Sequence, residues 1–246
     1  MGSARAERRN ARRLSAPAYR VVVTDVDGTL TDRSRRLDPN AVRAVRALED
    51  RGVPVVLATG NVLPIALALH RSLGLTGPIV AENGGLAWWK DGDGRDRVRR
   101  LADRRVALAA YRDLVRAGLP ARRLFTDRWR ESEVAIEPTV SVAAIRRVLG
   151  PRPLTVESTG FAIHLMERGA GKTSALAHVL RPLGRSLADA VVLGDGDNDV
   201  GMLRAAGFGV SFSSGSRRAR AAADYVTRAA YAGGFVEGLK ASGVLS

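Results

Sequence analysis

Two aspartates one residue apart, Asp25 and Asp27, close the run Val21-Val22-Val23-Thr24 and lead into Gly28-Thr29. Side chains two apart on an extended chain lie on one face. The pair could therefore share a site, one carboxylate attacking and the other moving a proton. Gly28 lets backbone approach a ligand closely. The competing reading is a turn closed by aspartate-to-backbone hydrogen bonds. A second acidic group is Gly194-Asp195-Gly196-Asp197-Asn198-Asp199. Its three acids repel one another unless a cation or solvent compensates, and hard oxygen ligands in a loop suit Mg²⁺. An EF-hand is excluded, because Ala206 stands where its closing glutamate belongs. Thr59-Gly60-Asn61 offers a hydroxyl and free amides at a helix start, which can hold a phosphate oxygen. Lys172 is one of only three lysines beside an abundance of arginine, and it supplies a compact point charge where arginine would present a fork. Gly171-Lys172-Thr173 looks like the end of a P-loop, but Met166 occupies the position of the first glycine, so the motif is incomplete and a P-loop ATPase is only a third option.

Such loops need a scaffold that gathers them. Apolar runs at 19–24, 53–58, 78–81, 190–193, 207–212 and 225–226 read as strands. Helices lie between them. Asp38 at an N-cap and Pro39 in the first turn start one, with Val42, Val45 and Leu48 as its stripe and Gly52 at its end. Others run to about residue 73 and over 172–183, 200–206 and 217–222. Strand–helix alternation with unbroken apolar strands predicts an α/β fold with a doubly wound parallel sheet. The acids then sit at strand carboxyl ends, where open α/β sheets bind ligands. The pattern changes between 86 and 166, with a charged turn, two helices and strands at 133–137, 154–157 and 161–166, the last of them alternating. The expected organisation is a disordered basic tail over 1–18, a core over 19–85 and 167–246, and an inserted α+β cap over 86–166. Trp88-Trp89 is assigned to packing that cap. His70 and His178 are assigned to helix faces, and His164 could face the cleft; the three share no metal-ligand spacing.

The chain has 246 residues, no cysteine, and a net charge of +14. Disulfides and thiolate metal sites are thereby excluded. No apolar run is long enough for a membrane span and the start lacks a signal-peptide layout, so the expectation is a cytoplasmic protein. The arginines are scattered over predicted helix surfaces and the tail rather than forming one stripe, and no aromatic nucleic-acid module is visible. The rival reading is a basic nucleic-acid-binding protein that kept the fold without the chemistry. Asp25, Asp195 and Asp199 oppose it, since they would repel a phosphate backbone.

Asp25-x-Asp27-Gly28-Thr29, Thr59, Lys172 and Gly194-Asp195-Gly196-x-Asn198-Asp199, in that order, resemble the four-motif signature of the haloacid dehalogenase superfamily of phosphotransferases. The insert before the lysine motif resembles that family's second type of cap. The stretches 25–32, 60–69 and 77–85 look like those of archaeal phosphoglycolate phosphatases, and Asn61 after Gly60 is similar to that group. The resemblance implies that Asp25 is a nucleophile forming an aspartyl-phosphate and Asp27 a proton carrier. Thr59, Gly60, Asn61 and Lys172 would bind the phosphoryl group, with Asn198 orienting Lys172 or the metal shell. Mg²⁺ would be held by Asp25, the Asp27 backbone carbonyl, Asp195 and Asp199, the last directly or through water. The implied substrate is a small phosphoester, 2-phosphoglycolate first and a sugar phosphate as the alternative. Monomer and homodimer both stay open.

Overall fold

Every position of β1 (Val21–Thr24) is buried, and its valines divide between two cores. Val22 faces one; Val21 and Val23 face the other. A strand covered on both sides has no polar face, hence the unbroken apolar run. In the computed structural model, which describes residues 19–245, β1 lies within an eight-stranded sheet. The tail predicted over 1–18 lies outside the described residues. Beside β1 stand β2 (Val55–Ala58) and β3 (Ile79–Ala81) on one side. On the other stand β9 (Ala190–Leu193), β10 (Phe208–Ser211) and β11 (Tyr225–Val226). All six are parallel. Helices α1 (Pro39–Asp50), α2 (Leu63–Leu73) and α8 (Ala232–Ser242) cover one face. Helices α5 (Lys172–Leu180), α6 (Val200–Ala205) and α7 (Arg217–Ala222) cover the other. The chain winds away from β1 in both directions, so the crevice between the ends of β1 and β9 is the topological switch point.

The cap boundary at residue 86 needs correction. β4 (Leu86–Lys90) and β5 (Asp96–Arg100) are not part of the insert but extend the main sheet, antiparallel, beyond β3. The cause is the turn Glu82–Gly84, where three successive residues take positive φ and send the chain straight back along β3. Trp88 therefore packs in the main core edge-on to His70, and Trp89 meets His178. Neither tryptophan packs the cap. β5, fully exposed and carrying Asp96, Arg97, Arg99 and Arg100, has the charges that keep an edge strand from pairing further. The separately packed insert begins at α3 (Arg104–Arg116). It continues through β6 (Val134–Ile136), α4 (Val142–Leu149), β7 (Leu154–Thr159) and β8 (Ala162–Glu167). Its strands form an antiparallel sheet in the order β6-β8-β7, and Leu114, Ile145 and Leu165 lie in its own core.

Helix α8 buries Gly234 and Gly238. Those glycines let it lie close on the sheet: a Cβ at Gly238 would come to 2.5 Å from Val210 Cγ1. Among the described residues no helix is long and apolar enough to cross a membrane.

Candidate active site

The backbone N–H of Asp25 donates to the Leu193 carbonyl at 3.0 Å, which fixes the residue at the switch point just past β1. Lys172, the first residue of α5, is buried and donates to Asp25 Oδ1 at 2.6 Å and Asp199 Oδ1 at 2.7 Å. The second oxygen of Asp199 accepts from the backbone N–H of Asp195 (3.0 Å) and Gly196 (2.9 Å). Asp199 thus shapes the acidic loop and orients the lysine. Gly28, at φ +84°, lies against the Asp195 carboxylate, with which any Cβ would collide. Asp27 accepts from Asn61 Nδ2 at 2.8 Å. Thr59 Oγ1 accepts from the Asn61 N–H at 3.0 Å.

Asp25, Asp27, Gly60, Asp195 and Asn198 all line one cavity of about 520 Å³. Lys172 and Thr59 are buried beneath it, and so is Asp199. Three sequence expectations shift. Asn61, expected to bind the phosphoryl group, donates its side-chain amide to Asp27. Asn198 donates to Asn83 Oδ1 at 3.0 Å, while Lys172 is held by Asp199. His164 does not reach the cleft: it is buried, with Nδ1 at 2.9 Å from Glu133 Oε1 and Nε2 at 3.1 Å from Thr159 Oγ1.

The electrostatics of this floor are unbalanced. Burial pushes Asp25 well above the ordinary carboxyl range, and Asp199 and Asp195 add to the shift against the pull of Lys172. Asp195 is pushed up to about 7 by burial and then by Asp199. Burial raises Asp27 as well, opposed by Arg35, Lys172 and the Asn61 amide. For Lys172, burial alone would lower the pKa, but Asp199 and Asp25 outweigh it and keep the ammonium charged. Carboxylate oxygens of Asp25, Asp195 and Asp199 lie within 4.8 Å of one another. Hard oxygen donors with excess negative charge fit a hard divalent cation. The Asp27 carboxylate is outside this triplet.

A family model for haloacid dehalogenase-like hydrolases matches residues 22–118 and 141–239. The chain belongs to that family. It is 38% identical to the phosphoglycolate phosphatase of Methanothermobacter thermautotrophicus, a match covering 90% of this chain and 97% of the relative. It is 37% identical to that of Methanoculleus marisnigri, covering 90% and 95%. The solved structure of Thermoplasma acidophilum 0175 superposes with a TM-score of 0.80 at 27% identity, covering 92% of this chain and 99% of that one.

In this hydrolase the cap is tied to the core by a buried polar joint that the sequence did not reveal. Glu82 accepts from the backbone N–H groups of Glu131 and Ser132 and from Ser132 Oγ at 2.6 Å. Glu133 accepts from Asn83 Nδ2 at 3.2 Å and pairs with Arg130. Arg130 also donates to the Gly60 carbonyl at 3.0 Å, reaching the phosphate-side loop. Its Nε and Nη2 have no partner among the described residues. Gly85 is required here, since a Cβ would strike the Ser132 hydroxyl. Nothing in the sequence pattern sets the run Arg130-Glu131-Ser132-Glu133 apart as a joint. The core side of the joint lies in the stretch 77–85, where Glu82 and Asn83 precede Gly84-Gly85.

Proposed function

We propose that this haloacid dehalogenase-like hydrolase is a Mg²⁺-dependent phosphatase that converts 2-phosphoglycolate to glycolate and phosphate. The observation that carries the chemistry is the cavity lined by Asp25, Asp27 and Asp195, with the buried Lys172 paired to Asp25 beneath it. The substrate choice is supported by relatives named phosphoglycolate phosphatase, matched over 90% of this chain.

Asp25 is the nucleophile. Lys172 occupies its Oδ1, which leaves Oδ2 to attack phosphorus and form an aspartyl-phosphate. Asp27 gives its proton to the departing glycolate oxygen, then takes one from the water that splits the acyl phosphate and regenerates Asp25. The Asn61 amide holds the Asp27 carboxyl on the leaving-group side. The Thr59 hydroxyl, which accepts from Asn61, keeps its own O–H to donate to a phosphoryl oxygen. Lys172 counters the charge that spreads over those oxygens. Asp25, the Asp27 carbonyl, Asp195 and Asp199 would hold Mg²⁺, which would supply positive charge against the repulsion among the acids and the phosphoryl group. Closure of the cap over the cavity excludes water during the first step.

The test is a panel of phosphoesters with and without added Mg²⁺, read as kcat/KM. 2-Phosphoglycolate should lead; a sugar phosphate far ahead of it would overturn the substrate. Asp25→Asn should leave only a trace of turnover in a protein with unchanged circular dichroism and Tm. Appreciable turnover in that variant would remove Asp25 from its role.

A further inference from the structure

The cavity has an acidic floor, but its far wall carries two cations, Arg33 and Arg35, both from the loop that follows the Asp25-Asp27 turn. That loop is held rigidly. Asp32 Oδ1 accepts from the backbone N–H of Ser34 at 2.8 Å and of Arg36 at 3.0 Å. Thr31 and Leu37 form an antiparallel bridge at its base. Arg36 is spent on this turn, its Nε bonded to Asp32 Oδ2 at 3.1 Å. Arg35 is not. It sits at φ 61°, a backbone region where glycine would be the ordinary choice. Its guanidinium lies 4.7 Å from the centroid of Phe161. Phe161 belongs to the turn between β7 and β8, so this contact bridges core and cap across the mouth of the cavity. Among the described residues no carboxylate pairs with Arg35. A guanidinium stacked on an aromatic face keeps its in-plane N–H groups free for a planar anion.

The position of Arg35 also has a direction. It lines the same cavity as Asp27, to which the Asn61 amide donates. Asp27 serves the leaving oxygen, and Arg35 lines the same cavity beside it, so its charge is placed to meet the leaving group. In 2-phosphoglycolate one methylene separates the ester oxygen from a carboxylate. An anion so close to the reacting centre cannot face Asp25 and Asp195 without a counter-cation.

We infer that Arg35, stacked on Phe161, is the residue that reads a carboxylate on the leaving alcohol and so sets the preference for a carboxylate-bearing phosphoester. This rests on the phosphatase reading above. The carboxylate is held as a charge-assisted fork, and the same contact ties the β7–β8 turn to the core over bound substrate.

The full-length enzyme with Mg²⁺ tests this through one ratio: kcat/KM for 2-phosphoglycolate over kcat/KM for 2-hydroxyethyl phosphate, an analogue of similar size whose leaving alcohol is uncharged. Any effect of Arg35 on Asp27 acts on both substrates and cancels in the ratio. In Arg35→Gln the ratio should fall at least about tenfold, as expected for a lost hydrogen-bonded charge pair, with the loss in KM. Arg35→Lys, which keeps the charge but not the fork, should retain part of it. Arg33→Gln should keep the wild-type ratio. If Arg35→Gln keeps the ratio, or Arg33→Gln loses it equally, the inference is overturned while the substrate reading stands. If the wild-type enzyme itself shows no preference for the carboxylate, the substrate reading falls, and the inference with it.

Discussion

Two groups of acids meet at Gly60, which lines the cavity and accepts from Arg130, and they are built on opposite principles. In the floor, Asp25, Asp195 and Asp199 share one buried cation, Lys172, and both Asp25 and Asp195 are pushed upward. In the joint, burial would raise Glu133 too, but His164 and Arg130 more than compensate and hold it below its ordinary range. Glu82 stands between these cases: burial raises it, and the Ser132 and Glu131 donors only partly offset this. An acid cluster that lacks countercharge is unfinished without a ligand. An acid that has its countercharge is a fastening. Function is to be expected where the balance fails, and the contrast can be tested from both ends.

Removing the floor's cation should have the largest effect. Lys172→Met leaves Asp25 and Asp199 facing each other unpaired and removes charge opposite the phosphoryl oxygens. Turnover should fall by about a thousandfold, while affinity for Mg²⁺, measured by calorimetry, should not weaken. With Lys172 gone the folded state binds protons on these acids more tightly. The metal-free variant should therefore lose stability as pH rises toward neutrality and recover it in acid. Activity within tenfold of wild type would break the contrast from the floor's side.

In the joint the cost should fall on stability. Glu133→Leu strands the buried Arg130 guanidinium, and removing one partner of a buried pair costs about 3–5 kcal/mol. Denaturant unfolding should report that loss, and turnover by the surviving folded protein should drop far less than in Lys172→Met. Loss of turnover at unchanged stability would mean that the joint belongs to the chemistry.

The contrast also explains what the sequence made visible. The floor was legible because each of its parts is local: an acid pair at the end of an apolar strand, a lysine opening a helix, an acid-rich loop. The parallel strands were legible because burial on both faces leaves an unbroken apolar run, as in Val21 to Val23. The joint was not legible, because Arg130 and Glu133 meet Gly60 and Asn83 only through tertiary packing, far apart in the chain. The β4–β5 hairpin was misassigned for a similar reason. Its exposed, charged second strand resembles a surface insert, and only the positive-φ turn at Glu82 to Gly84 returns it to the sheet. Arginine composition gave no guide to which guanidinium is buried and which lines the cavity.

A smaller effect concerns pH. In the metal-free protein Asp195 titrates at about 7, above its value in the unfolded chain. The folded state then holds the proton more tightly, so this group favours folding least once pH exceeds about 7. Metal-free Tm should fall between pH 5 and pH 8 on this account, and stabilisation by Mg²⁺ should grow over the same interval. Below 7 the metal must displace a proton, so its apparent affinity should rise by up to about tenfold per pH unit there and level off above. Asp195→Asn should flatten the metal-free profile and remove the stabilisation. A stabilisation independent of pH would mean that the floor's acids are already ionised and balanced without metal.

The finest distinction lies at the boundary between floor and joint, in Asn61. Read from sequence, Asn61 binds the phosphoryl group; in the structure its amide donates to Asp27. The two placements predict different kinetics. If the amide serves Asp27, Asn61→Ala removes a bond that lowers the pKa of this carboxyl, which then rises further. Asp27 must be ionised to take a proton from water, so the acid limb of turnover should move to higher pH. The loss should be about fivefold on that limb, the worth of one hydrogen bond, and should shrink toward alkaline pH. If Asn61 instead holds phosphate, KM should rise for every phosphoester alike and the limb should stay where it is. A pH profile of kcat beside KM for two esters separates these outcomes, because only a bond to the proton carrier moves a titration.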